Sequence, residues 1–164
     1  MAAHVQTGFA DMLTAHELRH EGYVITDDRS RLDRDVVHRY LSQESYWAKG
    51  VSRDTVDRSL DNSLCLGVYA PSGQQVGLSR VITDFATYAY LCDVFILTEH
   101  RGKGLGKVLI QTVVSHPRLQ SIRRMSLGTL DAHGLYAPFG FKAIGQPERH
   151  MEKRYPANYP LDAC

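Results

Sequence analysis

The densest run of chemistry-bearing residues is LTEHRGKGLGK. In it Gly102, Gly104 and Gly106 alternate with Lys103 and Leu105, behind Arg101 and ahead of Lys107. Glycines let a backbone turn and approach a ligand closely. Successive N–H groups at a helix start can then surround a pyrophosphate, with the helix dipole and nearby lysines adding positive potential. Spacing rejects two common phosphate loops. A Walker A loop needs its first glycine where Arg101 stands and a Ser or Thr where Val108 stands. A dinucleotide fingerprint needs its third glycine at Lys107 and an acidic residue about 20 positions on, which LQSIRR does not supply. What remains is Arg-x-x-Gly-x-Gly. A turn that binds nothing would need one glycine, and each further one costs roughly 1 kcal/mol of helix propensity. A second residue out of place is Asp93, a carboxylate inside the apolar run YLCDVFIL. Burial there is costly unless the group is hydrogen-bonded, paired or functional.

The elements around the loop follow from periodicity. After it, Leu105, Val108, Leu109, Thr112 and Val113 recur at helical spacing until His116-Pro117 ends the pattern. Upstream, GYVITDD reads as a strand, and RLDRDVVHRYLSQESYW carries Leu32, Val36, Val37, Tyr40 and Leu41 on one helical face. A second helix is expected at SRDTVDRSL with Ser52 as N-cap. LCLGVYA, QVGLSRVITD and TYAYLCDVFIL then form an antiparallel meander joined by PSGQ and DFA. Downstream come a strand IRRMSLGTL, a short helix from Asp131, which serves as its N-cap, and strands beginning FKAIG and RHMEKR. The pattern predicts a mixed α/β (α+β) domain around one sheet. Residues 1–20 read as a leader of uncertain structure, with Phe9, Met12, Leu13 and His16 weakly helical in spacing. Residues 21–154 read as the single domain, and 155–164 as a loose tail.

Composition narrows the function classes. The chain has 164 residues, enough for one core, with 19 Lys and Arg against 18 Asp and Glu. That balance leaves no global field for nucleic acid or an acidic membrane, so any anion must be held locally. Cys65, Cys92 and Cys164 are odd in number, and the first two lie in apolar runs. Free thiols in a reducing compartment, and a cytoplasmic location, are the expectation. No secretory leader and no membrane span is read. His16 and His20 stand four apart without a nearby third ligand, so no metal site is expected.

The run DVFILTEHRGKGLGKVLI followed by TLDAHGLYAPFGF resembles the GNAT superfamily of N-acetyltransferases, in the family's order and separation, over about residues 90–141. The resemblance implies a central, mostly antiparallel twisted sheet of about six to seven strands, splayed into a V between two central strands and flanked by about four helices. It implies acetyl-CoA as co-substrate. Phe95, Ile96 and Leu97 would offer backbone to the pantetheine arm, and Arg101, Gly102, Lys103, Gly104, Leu105, Gly106 and Lys107 would carry the pyrophosphate. The family's second motif usually reads Asn-x-x-Ala-x-x-Leu-Tyr. Here Ala132, Leu135 and Tyr136 match, while Thr129 replaces Asn with a shorter reach, which leaves that cofactor contact open.

Acetyl transfer to an amine sets two proton problems. An alkylammonium of pKa about 10.4 must lose a proton at a cost of about 4–5 kcal/mol at pH 7, and a thiolate leaving group of pKa about 8.5 benefits from gaining one. The resemblance makes Tyr136 the acid candidate, beside the acetyl-CoA sulfur. Asp93 or ordered water is the base. Trp47, the sole tryptophan, is a candidate wall of the acceptor pocket, with a core anchor as the competing reading. Asp84 and Asp93 could attract a cationic amine. The acceptor is a small-molecule or peptide amine in a ternary complex with a monomeric or homodimeric protein. A non-catalytic acyl-CoA sensor and a nucleotide-phosphate binder are the alternatives.

Overall fold

The computed structural model describes residues 15–155. Six strands form one sheet in sequence order: β1 (Glu17–His20), β2 (Tyr23–Thr26), β3 (Leu64–Tyr69), β4 (Gln75–Thr83), β5 (Tyr88–Ile96) and β6 (Arg124–Leu127). Neighbours are antiparallel except β5 and β6, which run parallel. The parallel pair needs a crossover, and α3 (Leu105–Val114) provides it. α1 (Arg34–Arg39) starts at Asp33, whose carboxylate accepts from the Asp35 and Val36 amides, and runs into a wide π turn over Tyr40–Glu44. α2 (Arg53–Asp61) starts at Ser52, whose hydroxyl accepts from the Thr55 amide at 3.3 Å. α4 (His133–Tyr136) is a single turn.

The sheet buries both faces. On one, Leu105, Leu109, Ile110 and Val113 of α3 pack against Ile25, Leu66, Val68, Val81, Ala89 and Leu91. On the other, Val37, Tyr40 and Leu41 with Val56 and Leu60 of α2 cover Cys65, Leu78 and Phe95. Each such aliphatic side chain contributes about 2 kcal/mol on burial. The helical face of α3 is shifted slightly from its expected centre, since Ile110 is fully buried and Val108 only half-buried.

Three features position the site. β5 pairs with β6 only from Tyr88 to Leu91, so the remaining five residues of β5 diverge from β6 and open a V. Between Leu78 and Arg80 of β4 the register with β5 slips, and Asp93 sits at φ 49°, making a bulge in β5. Gly77 lies against β5 so closely that a Cβ would stand 2.8 Å from the Phe95 carbonyl oxygen.

Two readings of the chain ends need correction. Glu17–His20, inside the stretch read as a leader, is an edge strand paired with β2, whereas Phe9, Met12 and Leu13 lie outside the described residues. The FKAIG and RHMEKR segments are not strands. Residues 141–155 run irregularly with one short 3-10 turn at Pro147–Arg149. Ile144 and Met151 are 49% and 98% exposed, so the alternation there finds no face to bury, and a strand without one is not stabilised. Residue 155 is described and exposed; the rest of the tail, with Cys164, lies outside the described residues.

Candidate active site

The glycine loop turns through Gly102 (φ 75°) and Gly104 (φ 74°), left-handed conformations that cost an L side chain roughly 1–2 kcal/mol. Gly104 is the N-cap of α3 and offers no side-chain cap. Among the described residues, no backbone N–H from 102 to 107 finds an acceptor. A Cβ built on Gly102 or Gly104 would meet nothing within 4 Å. A run of unpartnered amides beside open space at a helix N-terminus fits the phosphates of an acyl-CoA.

The basic residues of the loop divide. Arg101 turns back: its Nε donates to the Ile96 carbonyl at 2.8 Å and its guanidinium to the Tyr40 hydroxyl at 3.2 Å. Tyr40 stacks on Phe95 with centroids 3.9 Å apart. Arg101 thus braces the loop against the end of β5. Lys103 points the other way and donates to the Tyr23 hydroxyl at 3.0 Å, while that hydroxyl lies 2.9 Å from His100 Nδ1. Lys107 is exposed on the cleft wall.

The cleft, about 960 Å³, lies in the V between β5 and β6. It brings together Asp93, Phe95 and Ile96 of β5, Arg101, Gly102, Gly104, Leu105, Gly106 and Lys107 of the loop, and Thr129, Ala132 and Tyr136. Trp47 closes one side. Two expected residues stand outside: Lys103, held by Tyr23, and Leu97, whose N–H donates to the Val76 carbonyl at 2.8 Å and so belongs to the ladder with β4. A second cavity of about 1160 Å³ runs along the outer edge of β6 under residues 141–150 and contains no residue of the glycine loop.

Asp93 is fully engaged. Its Oδ2 accepts from Arg80 Nε at 2.6 Å, and its Oδ1 from Trp47 Nε1 at 2.9 Å. The Arg80 and Asp93 side chains are only 14% and 9% exposed. Burial opposes the charge on Arg80, and the facing carboxylate outweighs it and holds its proton more tightly. The ion pair and the indole explain how a carboxylate survives inside an apolar strand.

Tyr136 is buried, with its ring edge toward Phe141. Its hydroxyl has no hydrogen-bond partner among the described residues. Burial pushes its pKa up to about 12, with Tyr46 and Asp131 adding to the effect. The Thr129 hydroxyl accepts from the Ala132 amide at 3.0 Å. Thr129 thus closes the turn ahead of α4, whose N-cap position is Ala132 and not Asp131, and Asp131 is left exposed on the cleft wall. Cys92 also lines the cleft, and burial pushes its thiol up to about 12.

The resemblance places the acceptor pocket at about Tyr46 to Ser52, and Tyr46 does line the cleft. Glu44, Tyr90 and Leu130 line it as well and escaped the sequence. The Tyr46 hydroxyl accepts from the Leu130 amide at 3.3 Å and so joins the two loops across the cleft. Asp84, proposed to attract an amine, instead accepts from the Ala86, Thr87 and Tyr88 amides in the β4–β5 turn and does not line the cleft. The acidic residue of SQESYW, next to that segment, could have signalled Glu44, at the end of the π turn that follows α1.

The model of the acetyltransferase (GNAT) family matches residues 22–141. A Gibberella zeae protein provisionally named an acetyltransferase is 32% identical over 135 residues, covering 70% of this chain and 75% of that protein. Human N-acetyltransferase 8B is 42% identical over 60 residues, 34% of this chain and 26% of that one. Among solved structures, a Xanthomonas campestris pv. campestris protein provisionally described as an acetyltransferase of the GNAT family superposes with a TM-score of 0.81 at 46% identity. That match covers 88% of this chain and 99% of that one.

Proposed function

Because this chain belongs to the GNAT acetyltransferase family and is an acetyl-transferring enzyme, we propose that it moves acetyl from acetyl-CoA directly to a primary amine held in the same cleft. The observation that carries this reading is the single cleft that joins the unpartnered amides of 102–107 to Tyr136. The loop amides would hold the pyrophosphate, with Lys107 adding positive potential. The diverging end of β5 would receive the pantetheine arm, beside Phe95 and Ile96.

In the transfer, the neutral amine nitrogen attacks the thioester carbonyl, a C–N bond forms, the C–S bond breaks, and the sulfur leaves with the electron pair. The nitrogen, cationic once bonded to carbon, gives up a further proton, which passes through water to the thiolate. Tyr136 stays protonated at neutral pH and can donate a hydrogen bond to that sulfur. With a pKa near 12 against about 8.5 for a thiol, full proton transfer from Tyr136 would be uphill by about 5 kcal/mol. Its role is thus a hydrogen bond that strengthens as charge grows on sulfur. Asp93, with an oxygen given to each of Arg80 and Trp47, is assigned to hold the bulge and the indole. The ammonium proton leaves through water in the open cleft. A neutral Cys92 thiol of pKa about 12 is a poor nucleophile, which favours direct transfer over an acetyl-enzyme.

The test is CoA thiol release across amines for wild type, Tyr136→Phe and Gly104→Glu. Amine-dependent release that drops with both variants is expected. Thermal stabilisation by acetyl-CoA with neither release nor binding for any amine would sink the enzymatic assignment and favour an acyl-CoA sensor.

A further inference from the structure

The acceptor end of the cleft has a chemistry of its own. Tyr88, Tyr90 and Cys92 alternate onto one face of β5, and Ile82 of β4 stands directly opposite Tyr90. The helices on this face cover Cys65, Leu78 and Phe95 and stop there. Beyond them Ile82, Tyr88 and Tyr90 remain 45%, 42% and 38% exposed, flanked by Tyr46 at 46% and Leu130 at 76%. The apolar strip is continuous with the cleft, since Tyr46, Tyr90 and Leu130 line it.

Charge is distributed unevenly along the same cleft. Arg101 and Lys107 lie at the glycine-loop end. Glu44 and Asp131 are its carboxylates without a salt-bridge partner among the described residues, and Arg101, which shares the surroundings of the Tyr40 hydroxyl with Glu44, is spent on that hydroxyl and the Ile96 carbonyl. Arg80, the nearby cation under the wall, is neutralised by Asp93. A carboxylate on the acceptor would find no partner here. A polyhydroxylated or aliphatic polyamine would leave the exposed rings of Tyr46 and Tyr90 without a matching apolar body.

We propose, resting on the N-acetyltransferase reading, that the acceptor is a singly charged primary amine on an apolar, ring-bearing body. Its ammonium approaches between Glu44 and Asp131, and its ring lies on Tyr90 and Tyr46. Aromatic walls favour offset or edge-on ring contacts and tolerate a nearby cation. This names the arylalkylamine class and disfavours amino acids, polyamines and aminoglycosides.

The experiment compares 2-phenylethylamine with phenylalanine, which adds only a carboxylate, and with spermidine. The expected kcat/KM for phenylethylamine exceeds the other two by about tenfold or more. Tyr90→Ala should raise the amine KM about tenfold while the acetyl-CoA KM stays put, and Tyr46→Ala serves if that variant does not fold. Preferred acetylation of spermidine or phenylalanine would overturn the proposal and leave the N-acetyltransferase reading intact. If no amine turns over, binding decides. Trp47 is the sole tryptophan and lines the cleft, so saturable quenching by phenylethylamine in the CoA-bound protein supports the proposal, and its absence overturns it. A protein that neither binds nor cleaves acetyl-CoA would instead remove the underlying reading. A dimer broken by Tyr90→Ala with amine preference unchanged would assign the strip to a subunit interface and overturn the proposal too.

Discussion

Replacing Asp93 by Asn separates an anchoring carboxylate from a catalytic base. Asn tolerates the left-handed backbone at this position, and its carbonyl can still accept from Trp47 Nε1. The main loss is the charge facing Arg80 at 2.6 Å, where both side chains are largely buried. Removing one partner of a buried pair leaves the other uncompensated, at about 3–5 kcal/mol. For a domain of this size that is a fall in Tm of about 10–15 °C. The double variant Asp93→Asn with Arg80→Gln replaces the ion pair by a neutral hydrogen-bonded one, so most of the lost Tm should return. Activity should return with it, to within about tenfold of wild type, because the bulge and the indole are again held. If Asp93 were instead the base, the double variant would fold and remain slower by about 10²–10⁴-fold. That deficit would shrink as pH rises toward the amine's own pKa. A stable, inactive double variant rescued at high pH would refute the anchoring argument, and thermal melts beside CoA release from pH 7 to 10 read both.

Four further outcomes are expected. Tyr136→Phe should lower kcat about 10–100-fold with little change in acetyl-CoA affinity. Since the Tyr136 pKa is raised from 10 to about 12, its contribution to stability is complete below pH 10 and is lost as pH climbs through 12, so the variant's Tm should differ from wild type by a constant amount from pH 6 to 9. Gly104→Ala should cost about 1–2 kcal/mol of stability, since its Cβ would meet nothing. A much larger loss of acetyl-CoA affinity, read by calorimetry, would mark the space above the loop as ligand space, and equal losses would argue against it. Arg101→Lys keeps the charge but cannot reach both the Ile96 carbonyl and the Tyr40 hydroxyl, so the acetyl-CoA KM should rise about fivefold. His16 has a lowered pKa, from burial first and the neighbouring His116 second, against the attraction of Asp27. Below about pH 6.5 the unfolded chain takes up the proton more readily, so stability should fall with pH there, and His16→Asn should flatten that part of a Tm-versus-pH curve.

The residues that sequence reasoning placed well are those whose role is local. Gly102 and Gly104 sit in positive φ because the turn into α3 demands it, and that demand is written in their spacing. Ser52 caps α2 and the β3–β5 meander forms for equally local reasons. The errors are non-local. Whether FKAIG becomes a strand depends on a partner face, and Ile144 has none. The sequence assigns Asp84 to the amine and Asp131 to a helix cap, yet three amides of a turn consume the first, while the Thr129 hydroxyl takes the Ala132 amide and leaves the second exposed on the cleft wall.

Asp93 shows where the two kinds of information meet. Its cost inside an apolar strand is visible in the sequence, and that cost alone announces a partner. The partner's identity is not visible, because Arg80 lies 13 residues back on the next strand and Trp47 lies 46 residues back on a loop. Once both are known, the bulge has a cause: a left-handed residue in β5 displaces the ladder by one position, turning one carboxylate toward Arg80 and the indole together. The same displacement falls two residues past the last pairing of β5 with β6, where the V begins. On this geometry we propose that the carboxylate helps to keep the cleft open beside Trp47, and that the chemistry falls to the groups that face the opening without partners, the loop amides and the Tyr136 hydroxyl.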